Sequence, residues 1–128
     1  MAGLITLEGV RFFFDPTSVT AVADRDADTG EAVTTVYGLT AARLRLQEGP
    51  EIFLNRIGVI AGFKKLTRVN DTFIWFNCKS VKVIRVPLAG EYPASANTVI
   101  PIDSALIQAV KERPEDVVRI INSGGGSL

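Results

Sequence analysis

The feature that most constrains this chain is an internal repeat. Residues 66–84 align without a gap on residues 4–22, at an offset of 62 positions. The aligned pairs are Leu4 with Leu66, Leu7 with Val69, Phe12 with Ile74, Phe14 with Phe76, Asp15 with Asn77, Ser18 with Ser80, Val19 with Val81, and Val22 with Ile84. Because the spacing of apolar residues favours one local structure over another, a repeated spacing predicts a repeated structure. The chain is therefore expected to consist of two similar units.

The length of the chain limits how the two units are arranged. A unit of about 60 residues buries too little surface to be comfortably stable alone, and the whole chain has 128 residues. Apolar residues make up 47% of the sequence and charged residues 22%, which is typical of a globular protein with a substantial core. We therefore expect the two units to share a core and to pack as one pseudo-symmetric domain.

The first unit, residues 1–58, is predicted to be a small antiparallel β unit closed by a short helix. Runs of β-branched and aromatic residues separated by turn residues predict strands at 4–7, 10–14, 19–23, 33–37 and 42–46. Gly49 and Pro50 then mark the start of a helix, and Glu51 lies favourably near the positive end of the helix dipole. This helix is expected to end near Ile57.

The second unit, residues 63–122, is predicted to repeat this order. Its strands are expected near 65–69, 72–77, 80–86, 98–102 and 105–111. Its closing helix begins at Pro114 and ends near Ile121, at an offset of 64 from the first helix because the second hairpin is longer. The apolar join at 58–62 is expected to pack, and the Gly/Ser tail at 123–128 is expected to be flexible. The sequence thus predicts a mainly β, α+β fold.

A resemblance to a known family enters mainly through the second unit. The residues that carry it are Leu66 to Asn70, 73–77, Val81, Ile84, 98–100 and 112–118. This pattern resembles the FlbD-like family of small flagellar and swarming-motility proteins. The resemblance implies a small β fold for each unit and a role in a flagellar-type apparatus, and the same unit is open to recruitment by a phage. It also implies a glycine where Asp71 stands, and Gly9 keeps that glycine in the first unit.

The residue types that enzymes commonly use are scarce in this sequence. The chain has no histidine, which removes the usual general base near neutral pH and the commonest metal ligand. Its single cysteine, Cys78, has no partner for an internal disulfide, and no base is evident that would activate it as a nucleophile. We therefore predict a protein without catalytic residues, cofactor or metal.

One acidic segment has two interpretations. Asp24, Asp26, Asp28 and Glu31 stand at nearly alternate positions, as the ligands of a calcium loop do. The segment lacks the glycine at the sixth loop position and the glutamate at the twelfth that such a loop uses. A solvated hairpin tip is therefore the favoured interpretation.

The basic residues of the second unit suggest an alternative function. Six of them lie close to Phe73 and Trp75 in the sequence, namely Lys64, Lys65, Arg68, Lys79, Lys82 and Arg85. A basic surface with aromatic side chains is typical of proteins that bind single-stranded nucleic acid. Asp71 interrupts this surface, and the isoelectric point is about 6.3. A nucleic-acid-binding regulator is therefore the second hypothesis, and nucleic acid is not expected as the main partner.

Apolar residues on both faces of one strand carry the leading hypothesis. Both faces of the strand at 73–76 are apolar, so this strand is expected to be covered on both sides. The second apolar face of this unit is predicted to consist of Phe73, Trp75, Ile107 and Ala109. Two interpretations stay open, because this face either packs against the first unit within the chain or contacts another subunit.

The charges of the two parts of the chain are unequal. Residues 1–58 hold 8 acidic and 5 basic side chains, a net charge of −3, and residues 59–128 hold 6 acidic and 9 basic side chains, a net charge of +3. A head-to-tail contact between copies would pair these charges and produce a ring or a filament. The leading hypothesis is therefore a non-catalytic structural or adaptor subunit that contacts other protein subunits in a phage virion or a flagellar-type apparatus.

The sequence also predicts where such a subunit is located. No apolar run reaches the roughly 18 residues that a membrane span requires, so no membrane insertion is expected. The N-terminal residues lack the basic and long apolar regions of a signal peptide. We therefore expect a cytoplasmic or virion location.

Overall fold

The computed structural model describes residues 3–7, 10–26, 29–39, 43–103 and 106–128. Within these residues the chain forms nine strands and two α-helices. The strands are β1 (Gly3–Leu7), β2 (Val10–Phe14), β3 (Ala21–Ala23), β4 (Thr34–Tyr37), β5 (Leu44–Leu46), β6 (Phe63–Thr67), β7 (Phe73–Asn77), β8 (Thr98–Asp103) and β9 (Leu106–Val110). The helices are α1 (Pro50–Arg56) and α2 (Pro114–Ser123). The predicted class, mainly β with two helices and an antiparallel sheet, is confirmed.

The central sheet contains strands from both parts of the chain. We call residues 1–58 the first half and residues 63–122 the second half. The sheet has five antiparallel strands in the order β5-β4-β3-β7-β6. Since β3 belongs to the first half and β7 to the second, the two halves are joined by a backbone ladder. The paired residues in this ladder are Ala21 and Phe76, Val22 and Trp75, and Ala23 and Ile74.

Two further antiparallel hairpins complete the strand pairing. The β1–β2 hairpin pairs from Gly3 with Phe14 to Leu7 with Val10. The β8–β9 hairpin contains a bulge between Pro101 and Asp103. Two isolated bridges connect further segments. Arg68, just after β6, pairs with Val110 of β9, and Arg85 pairs with Val99 of β8.

The buried side chains form two hydrophobic cores, and each core contains residues from both halves. The first-half core consists of Val19, Val22, Val36, Leu46, Phe53, Leu54, Phe63 and Trp75. The second-half core consists of Ala21, Ala23, Leu66, Ile74, Phe76, Cys78, Val81, Ile100, Leu106, Val110, Val117 and Ile121. Because Trp75 packs in one core and Ile74 and Phe76 pack in the other, β7 is covered on both faces. The expectation for this strand is therefore confirmed.

Short 3₁₀ turns follow β2 and β7 and are capped in the same way. Asp15 precedes the turn at Pro16–Ser18, and its carboxylate accepts a hydrogen bond from the amide two residues later at 2.9 Å. Asn77 precedes the turn at Cys78–Ser80, and its side-chain oxygen accepts the corresponding hydrogen bond at 3.2 Å. Such side chains satisfy an amide that the turn leaves without a backbone partner. The hydroxyl and amide of Thr17 also hold the pKa of Asp15 below its ordinary value.

The strand predicted at 80–86 is wrong. This segment makes one isolated bridge, in which Arg85 and Val99 exchange backbone hydrogen bonds of 3.0 and 2.8 Å. Continuing this antiparallel register places Val83 opposite Pro101, and proline has no N–H to donate to the ladder. The segment therefore lies beside β8 without forming a regular strand.

The turn between β6 and β7 explains why a glycine suits position 71. Asp71 has a φ of 67°, in the left-handed region that favours glycine. The neighbouring Asn70 side chain accepts hydrogen bonds from the amide and the hydroxyl of Thr72 at 3.2 and 2.5 Å. The Asp71 carboxylate forms an ion pair with Lys111 of the β9 end. These contacts hold the turn although its tightest position is not a glycine.

The sequence predicts a flexible Gly/Ser tail at 123–128, and the structure gives the end of this tail specific partners. The Leu128 amide donates a hydrogen bond to the Asn122 side chain at 2.8 Å, and Asn122 donates one to the Leu128 carbonyl at 3.0 Å. The Leu128 side chain packs against the second-half core. A Cβ atom on Gly124 would lie 2.4 Å from the Cys78 sulfur, so glycine here permits a close approach to the core.

Candidate interaction surface

Large apolar side chains are exposed mainly along two segments of the backbone. Seven such residues are exposed among those whose side chains the structure describes, and five of the seven lie either on β2 or at residues 83–88, where strand pairing is incomplete. Scattered exposed apolar residues are normal on a protein surface, whereas a group beside unpaired strand backbone marks an interaction site. We call residues 10–14 the β2 edge and residues 83–86 the 83–86 edge. The seven residues are Val10, Phe13, Ile52, Val83, Val86, Leu88 and Ile107.

The β2 edge is the outer side of the N-terminal hairpin. Within the part of the chain that the structure describes, β2 pairs with β1 alone, so its other side presents unpaired backbone groups. Phe12 and Phe14 are half-buried on the first-half core, and the Phe14 ring centre lies 6.2 Å from that of Phe53. Phe13 points to the opposite face, is 66% exposed, and has the Arg11 guanidinium 5.7 Å from its ring centre. The edge thus combines unpaired backbone with an exposed aromatic ring.

The 83–86 edge is attached to the fold through one bridge. Arg85 pairs with Val99 of β8, and no other described strand pairs with this segment. Ile84 is half-buried and packs against the second-half core. Val83 and Val86 are 52% and 63% exposed. This edge therefore packs on the second-half core through Ile84, whereas Val83 and Val86 are exposed to solvent.

An ion pair fixes the loop that follows the 83–86 edge. The Arg85 guanidinium donates hydrogen bonds of 2.8 and 2.7 Å to the Glu91 carboxylate, which also accepts one from the Leu88 amide at 3.0 Å. The hydrogen bond from Arg85, followed by that from Leu88, lowers the pKa of Glu91 to about 2. Glu91 in turn raises the pKa of Arg85. The opposite charges of Arg85 and Glu91 are therefore paired with each other at neutral pH.

The four residues predicted to form the second apolar face lie in different surroundings. Trp75 is 9% exposed within the first-half core, and Phe73 packs against the same core with its ring 6.5 Å from that of Trp75. Ala109 is buried, whereas Ile107 is exposed. The structure therefore places Phe73 and Trp75 in the contact between the two halves and places Ile107 at the surface. Contact of these residues with another subunit stays a prediction.

The basic residues of the second half face several directions. Lys64 and Lys65 are neighbours on β6 and so point to opposite faces of the sheet. The Lys65 ammonium lies 4.7 Å from the Phe73 ring centre, whereas the Lys64 stem lies beside Gly124 at the end of α2. Arg85 is already paired within its own loop. The structure therefore does not bring these residues onto one continuous surface.

Arg68 is buried and cannot serve as a phosphate contact. It is 3% exposed, donates a hydrogen bond of 2.7 Å to the Thr72 hydroxyl, and lies 3.6 Å from the Asp24 carboxylate. Burial lowers the pKa of Arg68, and Asp24 opposes that shift. Among the six predicted basic residues, Lys65, Lys79, Lys82 and Arg85 are exposed, and Lys79 and Lys82 lie near the second 3₁₀ turn.

The acidic segment predicted to be a solvated hairpin tip is partly buried. Asp26 is 1% exposed, and its carboxylate accepts hydrogen bonds from Arg43 at 3.2 and 3.3 Å and pairs with Arg45 at 3.3 Å. Glu31 pairs with the same Arg45 at 2.5 Å, and Asp28 lies outside the described residues. The expectation is therefore wrong for Asp26. Sequence reasoning missed the spacing of Arg43 and Arg45. These residues stand two positions apart, just before and within β5, so both side chains point to the same face of the sheet.

Cys78 is packed inside the second-half core. Its sulfur lies 3.8 Å from the Phe76 carbonyl oxygen, and burial raises the pKa of the thiol. A thiol in this environment stays protonated at neutral pH and is a poor nucleophile. The residue therefore fits the inert, structural role.

A surface cavity of about 500 Å³ lies where the join meets the two 3₁₀ turns. Its lining comes from Pro16 and Thr17, from the join and the start of β6, and from Asn77, Lys79 and Ser80. Lys79 is the charged side chain among the described residues of this lining. Within the described residues, the cavity therefore brings no pair of titratable groups together.

Neither α1 nor α2, the helices of the described part of the chain, is long and apolar enough to cross a membrane. Comparisons with protein families, with curated proteins and with solved structures give no match to this chain.

Proposed function

We propose that this chain is a non-catalytic structural or adaptor subunit, which acts through protein–protein contacts inside a larger assembly. A phage virion and a flagellar-type apparatus are the two assemblies that the sequence suggests. The observation that carries the proposal is the pair of strand edges, the β2 edge and the 83–86 edge, with exposed apolar side chains on both. Natural proteins usually protect such edges, because unpaired N–H and C=O groups recruit another chain.

The charged side chains of the described residues support a structural role. Asp26 pairs with Arg43, as described above, and Glu48 pairs with Arg56 at 2.5 Å. Glu112 accepts hydrogen bonds from the Thr67 amide at 3.0 and 3.1 Å. In the proposal these carboxylates hold strand ends and loops in place, and none is assigned to acid or base chemistry.

We also propose that the two halves arose by tandem duplication of one FlbD-like unit. The matched caps Asp15 and Asn77, at an offset of 62, support this proposal. The helix starts Pro50 and Pro114, at the later offset of 64, support it as well. Matching turns and helix starts at the offsets set by the sequence are expected of duplicated units, since each half then folds by the same local rules.

Corresponding backbone pairs give the duplication independent support. In the first half, Ala23 of β3 is opposite Thr35 of β4. The residues at the corresponding positions of the second half, Arg85 and Val99, form the isolated bridge. The register between these segments is therefore the same in both halves, although the second half lacks a regular strand there.

A pair of buried side-chain hydrogen bonds supports the same conclusion. The Thr34 hydroxyl donates to the Glu48 carbonyl at 2.5 Å, and the Thr98 hydroxyl donates to the Glu112 carbonyl at 2.7 Å. Both threonines are buried at the start of a strand, and both acceptors lie just before a helix. Each bond thus fixes the helix of its half to the sheet.

Association measurements test the proposed function. Light scattering coupled to size-exclusion chromatography is applied to the purified chain, alone and mixed with the proteins encoded beside it. We expect species heavier than the 13.8 kDa monomer in at least one of these samples. A chain that stays monomeric in every sample would contradict the proposal.

The nucleic-acid alternative makes a different prediction. If Lys79 and Lys82 contact phosphates, fluorescence anisotropy of a labelled single-stranded oligonucleotide will detect binding that falls steeply with added salt, because bound counterions are released. Charge reversal of both lysines would then abolish the binding. We expect no such binding at physiological salt, and salt-sensitive binding at low concentration would favour the regulator over the structural subunit.

A further inference from the structure

The β3–β7 ladder joins the two halves of the chain. The equivalent ladder, between β2 and residues 83–85, is not formed among the described residues. β3 pairs with β7, where Ala21 is opposite Phe76 and Ala23 is opposite Ile74. At the repeat offset of 62 positions, β7 corresponds to residues 11–15, which include most of the β2 edge, and β3 corresponds to residues 83–85. The chain therefore contains segments that correspond to both partners twice, but its described residues form this ladder once.

The exposure of corresponding side chains marks the missing partner. Trp75 is 9% exposed because it lies opposite Val22 on the first-half core, whereas Phe13, at the corresponding position, is 66% exposed. Ala21 is fully buried beside β7, whereas Val83, its counterpart, is 52% exposed. In both comparisons the residue within the β3–β7 ladder is covered, whereas the corresponding residue, which has no equivalent ladder within the described part of the chain, is exposed.

The contacts that each edge already makes fit the same arrangement. Val22 packs in the core of its own half, and Ile84, its counterpart, also packs against the core of its own half. Phe12 and Phe14 pack on the first-half core, as the corresponding residues of β7 pack in the second-half core. Both edges are therefore positioned for pairing, and no described strand of the same chain lies on the free side of either edge.

We propose that the β2 edge of one copy of this chain pairs, antiparallel, with residues 83–85 of a second copy. This inference rests on the proposed function and duplication, and it identifies the partner as the chain itself. Pairing of two strand edges supplies backbone hydrogen bonds, and the side chains of the two strands supply specificity. The register carried over from the β3–β7 ladder places Phe14 opposite Val83, Phe13 opposite Ile84, and Phe12 opposite Arg85.

The proposed contact buries apolar surface that a single copy leaves in water. Phe13 of one copy lies beside Ile84 on the second-half core of the other, as Trp75 lies beside Val22 within the chain. Val83 lies beside Phe14, above the first-half core of the neighbouring copy. Aromatic residues opposite β-branched residues are favourable cross-strand pairs. The contact thus repeats between copies what the chain already forms between its halves.

The contact is head-to-tail, because each copy contributes two different edges. One edge of each kind stays free in a pair of copies, so further copies add in the same direction until a ring closes or a filament grows. Residues 1–58, which supply the β2 edge, have a net charge of −3, and residues 59–128, which supply the other edge, have a net charge of +3. Successive copies therefore bring parts of opposite net charge together.

Two single substitutions separate the two edges. Phe13→Glu blocks the β2 edge and Val83→Glu blocks the 83–86 edge, and both positions are more than half exposed, so both variants are expected to fold. Each variant alone is expected to self-associate about 100-fold more weakly than the wild type, because the contact would bury an unpaired carboxylate. An equimolar mixture is expected to form dimers and nothing larger, since one usable edge of each kind remains.

Sedimentation velocity over a range of protein concentrations measures these assemblies. Ile52→Glu is the matched control, because Ile52 is 66% exposed on α1, outside both edges, and it is expected to assemble as the wild type does. A mixture that stays monomeric, or a Phe13→Glu variant that assembles like the wild type, would overturn the proposed pairing. A wild-type chain that is monomeric alone but joins an encoded neighbour would overturn the pairing and leave the proposed function standing.

Cysteine pairs test the register. Phe14 and Val83 correspond to Phe76 and Ala21 of the β3–β7 ladder. Phe76 and Ala21 form a non-hydrogen-bonded pair, because the backbone hydrogen bond of 2.9 Å is made by the next residues, Asn77 and Thr20. Side chains in such pairs approach closely. A mixture of the Phe14→Cys and Val83→Cys variants is expected to form an intermolecular disulfide under mild oxidation. A mixture of Phe13→Cys and Val83→Cys is the control, because these side chains point to opposite faces. Equal cross-linking in the two mixtures would overturn the register.

Discussion

The strands β2 and β7 share one pattern and lie in different surroundings. Each pairs with the strand before it and is followed by a 3₁₀ turn capped by an Asp or Asn side chain. β7 has a second neighbour, β3, and is covered on both faces. In the described part of the chain β2 has no such neighbour, and Phe13 is exposed. Local sequence therefore decides the strand and the turn, whereas burial depends on which segment supplies the adjacent strand.

β2 and β7 are also expected to contribute unequally to the stability of the chain. β7 contributes to both hydrophobic cores, so its side chains connect the two halves. β2 contributes only to the first-half core, through one of its faces. We therefore expect substitutions in β7 to destabilise the whole chain and the corresponding substitutions in β2 to have smaller effects on an isolated copy.

The largest difference is expected at the aromatic pair Phe76 and Phe14. The repeat alone predicts equal costs of truncation, but Phe76 is fully buried and Phe14 is half-buried. Phe76→Ala is expected to lower the free energy of unfolding by about 3–5 kcal/mol, whereas Phe14→Ala, which loses partial burial and stacking on Phe53, costs about 1–2 kcal/mol. Denaturant titration at a concentration where the wild type is monomeric measures both. Equal costs would show that β2 is as well covered as β7 in solution.

The next difference concerns the other face of the same strands. Trp75→Ala is expected to cost about 3 kcal/mol, because the indole is buried between the halves. Phe13→Ala is expected to change the stability of a monomer by less than about 0.5 kcal/mol, because surface substitutions away from special features have small effects. Thermal unfolding of the two variants, compared with the wild type at one protein concentration, measures the difference. A Trp75→Ala variant as stable as the wild type would contradict the burial of this residue.

A smaller effect, equal in the two halves, is expected at the buried threonines. Thr34→Val and Thr98→Val each remove a hydroxyl that donates to a carbonyl just before a helix. Each substitution is expected to cost about 1–2 kcal/mol, because the carbonyl loses its hydrogen bond while the volume of the side chain is kept. Denaturant titration gives both values. Costs that differ widely would weaken the equivalence of these two positions and with it the proposed duplication.

Much of the fold is predictable from sequence because local rules govern it. The β7 residues alternate between faces that are both apolar, and the strand is covered on both sides in the structure. Pro50 and Pro114 begin the two helices where their fixed φ and missing N–H are tolerated. Features of this kind depend on a few neighbouring residues, which the sequence displays directly.

The parts that sequence reasoning missed depend on distant residues. Val83 lies in a segment with strand-forming residues, but Pro101, which is far along the chain, cannot complete the ladder opposite it. Asp26 belongs to a polar stretch, but Arg43 and Arg45 return to cover it after β4. The β2 edge and the 83–86 edge depend on which of the repeated strands pair, and the local sequence does not decide this pairing. The candidate site therefore follows from the topology of the sheet.

The smallest effect is expected at Arg85, which stands where the first half has Ala23. Its hydrogen bonds lower the folded-state pKa of Glu91 from 4.5 to about 2. Since the pKa is lowered by folding, the pair stabilises the folded chain at pH values above 4.5, and this contribution is lost as the pH falls through about 2. NMR titration of the Glu91 carboxyl group is expected to show the low pKa in the wild type. It is expected to show a return toward 4.5 in Arg85→Gln and no change in the control Arg119→Gln, whose arginine pairs with Asp116 on α2. A wild-type Glu91 that titrates near 4.5 would mean that the Arg85–Glu91 pair does not hold this loop in solution. The second half would then lack the ion pair that distinguishes Arg85 from Ala23.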